Sequence, residues 1–541
     1  MRLKKDSSNQ KLRGAYYTPL QLAKAMVSLF APQDMASVLE PSCGDGVFID
    51  SFDELGLLPN VETLKAIEIE PDEAKKVRKR YVDKDNVEIY EDDFFKYYNR
   101  VLGKETYDLI VGNPPYIRYQ YLTESQRKMM SEILTSHGMK SNKLINAWVA
   151  FIVACVQLLS ERGKIAFVIP AEILQVAYAE DLRLYLSNNL AKITLITFEK
   201  LVFPDIEQEV VVFIGEKGDV EKGIRIIEMN DLDDFEKLNL EQNGFQKLQH
   251  VKEKWTKYFV TAKEMELIQQ IRKDSRFAKF SEYGIINVGI TTGNNSYFSI
   301  TEETNDEYNL GNVTLPLIGR SSHAHGIYFN PEDWERNKAE GKRARLISFP
   351  DTPFDEYDSL HKKYIALGEE KEEHKGYKCS IRDRWYIVPS IWIPDAFFLR
   401  RNNLYPKFVL NECNAVSTDT MHRMKFNENV EPENVLLAYY NSISFAFTEI
   451  CGRSYGGGVL EILPGEMGNI ILPKVNNIDP VLRTTLLQRI DSIVRNDENI
   501  EDALDLVDQE LLINILGIES EMCTKCRAIW KKMQRRRLGR G

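Results

Sequence analysis

The run YDLIVGNPPY (107–116) sets a polar amide, two prolines and an aromatic ring at the end of an apolar stretch. Proline fixes its own φ, removes a backbone donor and pushes the preceding residue out of the helical region. Such a turn either simply stops a strand or holds Asn113 and Tyr116 rigidly for chemistry. Three earlier apolar runs also end in residues with chemical uses. The first leads into Glu40-Pro-Ser-Cys-Gly-Asp-Gly46, whose glycines permit a tight turn and close approach of a ligand to the backbone. The second ends in Glu68-Ile69-Glu70, where an acidic side chain can accept both hydroxyls of a ribose. The third ends in Asp93-Phe94, an acceptor beside a flat ring, suited to the amino group and face of an adenine. Singly, each is a solvated carboxylate or a core aromatic. As successive strand ends in chain order they describe a nucleoside pocket, because doubly wound sheets bind ligands outside the carboxyl ends of their strands. The glycine turn is not GxGxxG and no GK[ST] follows it, so a P-loop is not indicated.

Strands are predicted at 37–40, 64–69, 87–90, 107–111, 164–169, 191–198 and 209–214. Helices are predicted after Gly46, from Pro71 and over 146–160. This alternation implies α/β architecture with a mostly parallel sheet covered by helices on both faces. The short link before the last strand turns that strand back antiparallel. Beyond about residue 217 the rhythm breaks into a polar, acidic stretch, and a region rich in Tyr, Trp, Asn and short β-like runs follows. The final segment has helical spacing and a basic end.

With 541 residues the chain has room for two or three domains. Its 43% hydrophobic and 28% charged residues are those of an ordinary globular protein. A net charge of −11 argues against a small, uniformly basic nucleic-acid binder, but not against one basic cleft in a larger protein. The first residues carry charges without an apolar core. The longest apolar run, 147–159, is too short to span a bilayer, so a cytoplasmic location without membrane contact is expected. Seven scattered cysteines fit reduced thiols. Cys523 and Cys526 form a CxxC without a second ligand pair, and His323 and His325 lack a third partner, so no metal site is expected.

The set Tyr17-Thr18-Pro19, LEPSCGDG (39–46), IEIEP (67–71), DDFF (92–95), NPPY (113–116) and VFP (202–204) resembles, in order and content, the amino-methylating DNA methyltransferases. It is most similar to the gamma-order N6-adenine group of type II restriction-modification enzymes that includes the TaqI enzyme. The resemblance covers roughly residues 14–215. It implies a Rossmann-like catalytic domain over 1–250 that uses S-adenosyl-L-methionine (AdoMet). A mixed, β-rich target-recognition domain over 251–475 and a helical C-terminal segment over 476–541 follow. VGITTGNNSYF (288–298), YKCSIRDRWYIVP (377–389), STDTMHR (417–423) and RSYGGGVLEILP (453–464) are similar to segments of the recognition domains. The resemblance implies AdoMet contacts at Thr18, Glu40, Ser42, Cys43, Gly44, Glu68, Asp93, Phe94 and Pro114. It implies catalysis by Asn113, Pro114, Pro115 and Tyr116, with Tyr116 and Phe203 stacking on the target base. Double-stranded DNA is the implied partner, with a separately encoded restriction endonuclease acting on the same site, and the protein itself is expected to be a monomer.

For DNA contact the eye falls on Arg320, Arg382, Arg384, Arg400, Arg401, Arg423 and Arg453, set among Tyr and Trp. Arg384, Arg423 and Arg453 are carried as DNA-binding, although each is equally a candidate for a salt bridge. The terminal run Lys531, Lys532, Arg535, Arg536, Arg537 and Arg540 either neutralises phosphates or is a solvated helix end. An N4-cytosine enzyme, a glutamine methyltransferase acting on release factors and a catalytically silent DNA-specificity subunit remain alternatives. A cytosine-C5 enzyme is disfavoured by the lack of a Pro-Cys nucleophile. A fused nuclease is disfavoured by the lack of a PD…(D/E)xK pattern.

Overall fold

The strands at 37–40, 63–68 and 107–112 are short, rich in Val, Ile and Leu, and mostly buried on both faces, as a sheet covered on both sides requires, while the strand at 87–91 lies at the edge and is more exposed. In the computed structural model, which describes residues 17–141, 145–174, 179–199, 202, 209–242, 244–247, 255, 259–455, 458–475 and 478–539, the chain divides into two units. The division falls between Phe259 and Val260.

The first unit begins with helix α1 (Leu20–Val27) and continues β1 (Ser37–Glu40), α2 (Val47–Glu54), β2 (Thr63–Glu68), α3 (Pro71–Arg80), β3 (Val87–Glu91), α4 (Phe94–Val101) and β4 (Tyr107–Gly112). After β4 come α5 (Glu124–Ser136), α6 (Ala147–Leu158), β5 (Leu159–Pro170), α7 (Glu180–Asn189), β6 (Lys192–Phe198), β7 (Val210–Glu216), β8 (Gly223–Met229) and β9 (Gln246–Lys247). The sheet runs β3-β2-β1-β4-β5-β7-β6-β8-β9. Strands β3 to β5 are parallel, while β7 slots between β5 and β6 antiparallel to both, as the short link before it predicts. The sheet does not end there. Strand β8 pairs parallel with β6, and β9 closes the edge. The acidic stretch read as a connector therefore holds one more buried strand, IRIIEM, flanked by turn residues. Helix α6 is apolar on every side and almost wholly buried, as such a helix must be. Proline at the first turn of α3 and the Asp93 side chain at the start of α4 set where those helices begin.

The second unit is mixed. Its largest sheet contains β10 (Gly284–Val288), β11 (Tyr328–Phe329), β12 (Ala396–Leu399), β13 (Phe408–Asn411) and β14 (Met421–Phe426), in the order β10-β14-β12-β13-β11. Segments far apart in sequence meet here. Ile290 N–H donates to Ser417 O and Gly289 N–H to Met421 O, so VGITTG packs on STDTM. Among its helices are α8 (Ser442–Cys451), α9 (Pro480–Arg495), α10 (Ile500–Val507) and α11 (Ser520–Leu538), and α11 packs along α8.

Candidate active site

The chemistry-bearing residues of the first unit gather at the carboxyl ends of β1 to β4. After β1 the chain turns through Gly44 (φ +54°) and Gly46 (φ +85°) before entering α2. Both values lie in the left-handed region that glycine tolerates. At Gly46 the backbone also passes so close to Val77 that a Cβ would lie 3.0 Å from a valine methyl. Glu68, buried at the end of β2, clamps this turn: one carboxylate oxygen accepts from Gly44 N–H at 2.7 Å and the other from Glu70 N–H at 2.8 Å.

Glu40 is 2% exposed, and its Oε2 has no hydrogen-bond partner among the described residues. Burial, reinforced by Asp45, Glu68 and Asp50, pushes its carboxyl well above the usual range. Glu68 is raised too, mainly by burial, although the amides of Glu70 and Gly44 pull the other way. Burial raises the Cys43 thiol strongly, so Cys43 is a packing residue of the turn and not a thiolate.

Asp93, at the end of β3, accepts from Phe95 N–H at 2.9 Å with Oδ1 and from Gln126 Nε2 at 2.8 Å with Oδ2. Phe94 is buried, its ring stacked on Phe151 with centroids 4.7 Å apart. At the end of β4, Asn113 is held from two sides. Ser42 Oγ donates to its main-chain oxygen at 3.2 Å, and its own Nδ2 donates to Thr18 Oγ1 at 3.2 Å. An amide whose nitrogen points at Thr18 turns its Oδ1 to the opposite side. Pro114 is buried, and the Tyr116 hydroxyl donates to Val168 O on β5 at 3.1 Å, fixing the ring. Phe203 lies outside the described residues. The fold thus ties Thr18 and Ser42 to Asn113, and Glu68 to the turn at Gly44, while Asp93 is bonded to Phe95 and Gln126 and to none of these. Nothing in the sequence points to Gln126, whose Thr-x-x-Gln spacing marks a helix start and nothing more.

In the second unit the three arginines carried as DNA-binding are all engaged within the protein. Arg384 pairs with Asp351 at 2.7 Å and also donates to Thr352 O. Arg453 pairs with Glu466 at 2.7 Å. Arg423 is buried, donates to Val288 O and Ser390 O, and lies over the Trp392 ring. Three cations of the terminal run are claimed within the protein: Lys531 pairs with Glu501, Lys532 with Glu264, and Arg537, 2% exposed at its side chain, with Glu449, while Arg535 is exposed and donates to Lys531 O. Arg540 lies outside the described residues. Cys523 and Cys526 are buried in α11, and no cluster of His, Cys, Asp and Glu fit for a metal occurs among the described residues. His323 is buried, and its imidazole is pushed down to about 4 mainly by that burial. No helix among the described residues is long and apolar enough to cross a membrane.

Two family models match this chain: the Eco57I restriction-modification methylase over residues 39–203, and the C-terminal domain of the Type II methyltransferase M.Eco57I over residues 252–512. The chain belongs to the type II restriction-modification methyltransferases. Among such enzymes it is 25% identical over 488 residues to the Type II methyltransferase M.AccI of Acinetobacter calcoaceticus, across 86% of each chain. It is 30% identical over 240 residues to M.HincII of Haemophilus influenzae, across 44% of each. The fold is shared with the Type IIL restriction-modification enzyme MmeI in its complex with DNA, at a TM-score of 0.60 and 13% identity, over 98% of this chain and 80% of that one.

The methyl donor of this methyltransferase is AdoMet, and the strand ends fit such a molecule in kind. Glu40 keeps a buried carboxylate oxygen without a partner among the described residues, which suits a cationic ligand. The turn at Gly44 leaves backbone within reach, with the Tyr17 ring beside it.

Proposed function

We propose that this methyltransferase transfers the methyl group of AdoMet to N6 of an adenine flipped out of duplex DNA, at one specific sequence. The observation that carries the reading is the two-sided hold on Asn113, by Thr18 at its side chain and Ser42 at its main chain, beside the glycine turn. AdoMet, when bound, supplies an electrophilic methyl group on a sulfonium. The N6 lone pair of adenine is conjugated into the ring and is a poor nucleophile. Asn113 Oδ1 and the Pro114 carbonyl accept the two amino hydrogens and favour a pyramidal nitrogen whose lone pair faces the methyl. This is orientation plus preorganised electrostatics, with no covalent intermediate on the enzyme. Proline supplies a carbonyl without a competing N–H, and Pro115 locks its direction. Tyr116 stacks on one face of the base and Phe203 on the other, offsetting part of the unstacking cost at about 1–3 kcal/mol per base.

Incubation with labelled AdoMet and plasmid DNA, followed by nucleoside analysis, tests the reading. N6-methyladenine is the expected product. N4-methylcytosine would replace the adenine assignment, label in protein alone would favour a glutamine substrate, and tight DNA binding without product would mark a silent specificity subunit.

A further inference from the structure

A capping box needs only an acceptor at its third helical position, and glutamate serves as well as glutamine. Helix α5 uses glutamine. Gln126 Oε1 accepts from Thr123 N–H at 3.1 Å and from Thr123 Oγ1 at 3.0 Å, while Thr123 Oγ1 accepts from Gln126 N–H at 3.3 Å. With its oxygen fixed in this way, the amide can point its nitrogen in only one direction, and that direction is Asp93 Oδ2, at 2.8 Å. A glutamate would make the same cap and no bond to Asp93. The next residue, Arg127, reaches back along the chain: Nε donates to Tyr119 O at 3.0 Å, Nη2 to Gln120 O at 2.8 Å, and the guanidinium lies over the Tyr119 ring. One turn of α5 therefore grips Asp93 through Gln126, and grips the segment that follows GNPPY through Arg127.

We infer that Gln126 is a positioning residue that couples occupancy of the nucleoside pocket to the order of residues 117–127. The inference rests on the reading of Asp93 as the acceptor for the cofactor's adenine. Asp93 Oδ1 accepts from Phe95 N–H and Oδ2 from Gln126, so the carboxylate is fixed in plane with one acceptor site left on each oxygen. A donor arriving there locks Asp93, Asp93 locks Gln126, and the first turn of α5 holds the chain beyond Tyr116 in the arrangement in which it meets the target base. By linkage, whatever orders that segment in turn favours the nucleoside.

Hydrogen exchange with saturating S-adenosylhomocysteine, in the full chain and in Gln126→Glu, tests this. The variant keeps an acceptor for the capping box and replaces the donor to Asp93 by a carboxylate oxygen that repels it, so the link is broken from both sides; a thermal melt checks that it is folded. In the unaltered chain, ligand should slow exchange both in the glycine turn (41–46) and in 117–127, by about 3- to 10-fold in the latter. In Gln126→Glu, protection of 41–46 should persist and that of 117–127 should be lost. Equal protection of both segments in the two proteins, or protection of the glycine turn alone in the unaltered chain, overturns the coupling. Absence of protection at 41–46 in the unaltered chain overturns the cofactor reading of this pocket, and the coupling with it; its absence in Gln126→Glu alone overturns the coupling as stated and leaves that reading standing.

Discussion

At the scale of single residues the site divides its labour between Asn113 and Glu40. In the proposed role Asn113 accepts from the target amino group, so Asn113→Ala should lower the methyl-transfer rate by about 10²–10³, the cost of one preorganised polar contact in a transition state. AdoMet affinity should change little. Single-turnover transfer and equilibrium titration separate the two, and loss of AdoMet binding in this variant would remove Asn113 from the role given to it. Glu40 behaves in the opposite way. Its carboxyl is raised by burial well above its ordinary value of 4.5, so it contributes full stability below that value and loses it as pH rises toward the elevated one. Glu40→Gln removes this penalty. At neutral pH the cofactor-free variant should melt roughly 2–4 °C higher, what about 1 kcal/mol is worth in a unit of this size. It should also bind AdoMet about tenfold or more weakly, having lost a charged contact to a cationic ligand. Melts repeated near pH 4.5 should show the two proteins converging. A stability gain that persists there would mean that ionisation of Glu40 is not its source.

At the scale of elements, much of the first unit is legible because its signals are local. The apolar runs from Ser37 to Gly112 end at turns that hold the proposed site residues, so strand ends and candidate site emerge together. Strand β8 escapes because IRIIEM is short and lies between GDVEKG and NDLDDF, whose turn-forming and acidic residues outweigh it in any window. The hold of Thr18 on Asn113 spans 95 positions and that of Ser42 spans 71, and no periodicity records such a pairing. The basic end of α11 misleads for a related reason. A run of Lys and Arg looks alike whether it meets phosphate, water or a carboxylate from another helix. Here Arg537 Nε and Nη2 both donate to the Glu449 carboxylate on α8, and its Nη1 donates to Gly458 O. Arg537→Ala leaves a buried carboxylate uncompensated and should cost about 3–5 kcal/mol, read as a lower urea midpoint. The pair replacement Arg537→Met with Glu449→Gln should recover most of that. An Arg537→Ala variant of unchanged midpoint but weakened DNA binding would restore the cationic tail to the interface.

At the scale of the whole molecule, the proposed binding of DNA by a chain of net charge −11 requires local cations that its own carboxylates have not claimed. Many are claimed. In the second unit Arg345 pairs with Glu302, Arg384 with Asp351, Arg400 with Glu461, Arg453 with Glu466, and Arg495 with Asp333 and Asp491. Arg423 and Arg382 spend their donors on backbone carbonyls of the segments they brace. Arg320 differs: it is exposed, and its guanidinium has no hydrogen-bond or ion-pair partner among the described residues. Composition cannot separate these classes, since every arginine carries the same charge and only the fold decides which charge is left over. Two substitutions should therefore part company. Arg320→Ala should weaken binding to all duplexes alike and make the slope of log affinity against log salt shallower by about one, the release of one counterion, with unfolding unaffected. Arg423→Ala should lower the urea midpoint, because it strips two carbonyls and the Trp392 face of their partner, and should leave the salt slope of the folded fraction unchanged. Titration of a fluorescent duplex across a salt series, beside urea unfolding of both variants, reads the two effects. An unchanged slope in Arg320→Ala would place the phosphate contacts on other cations of the chain.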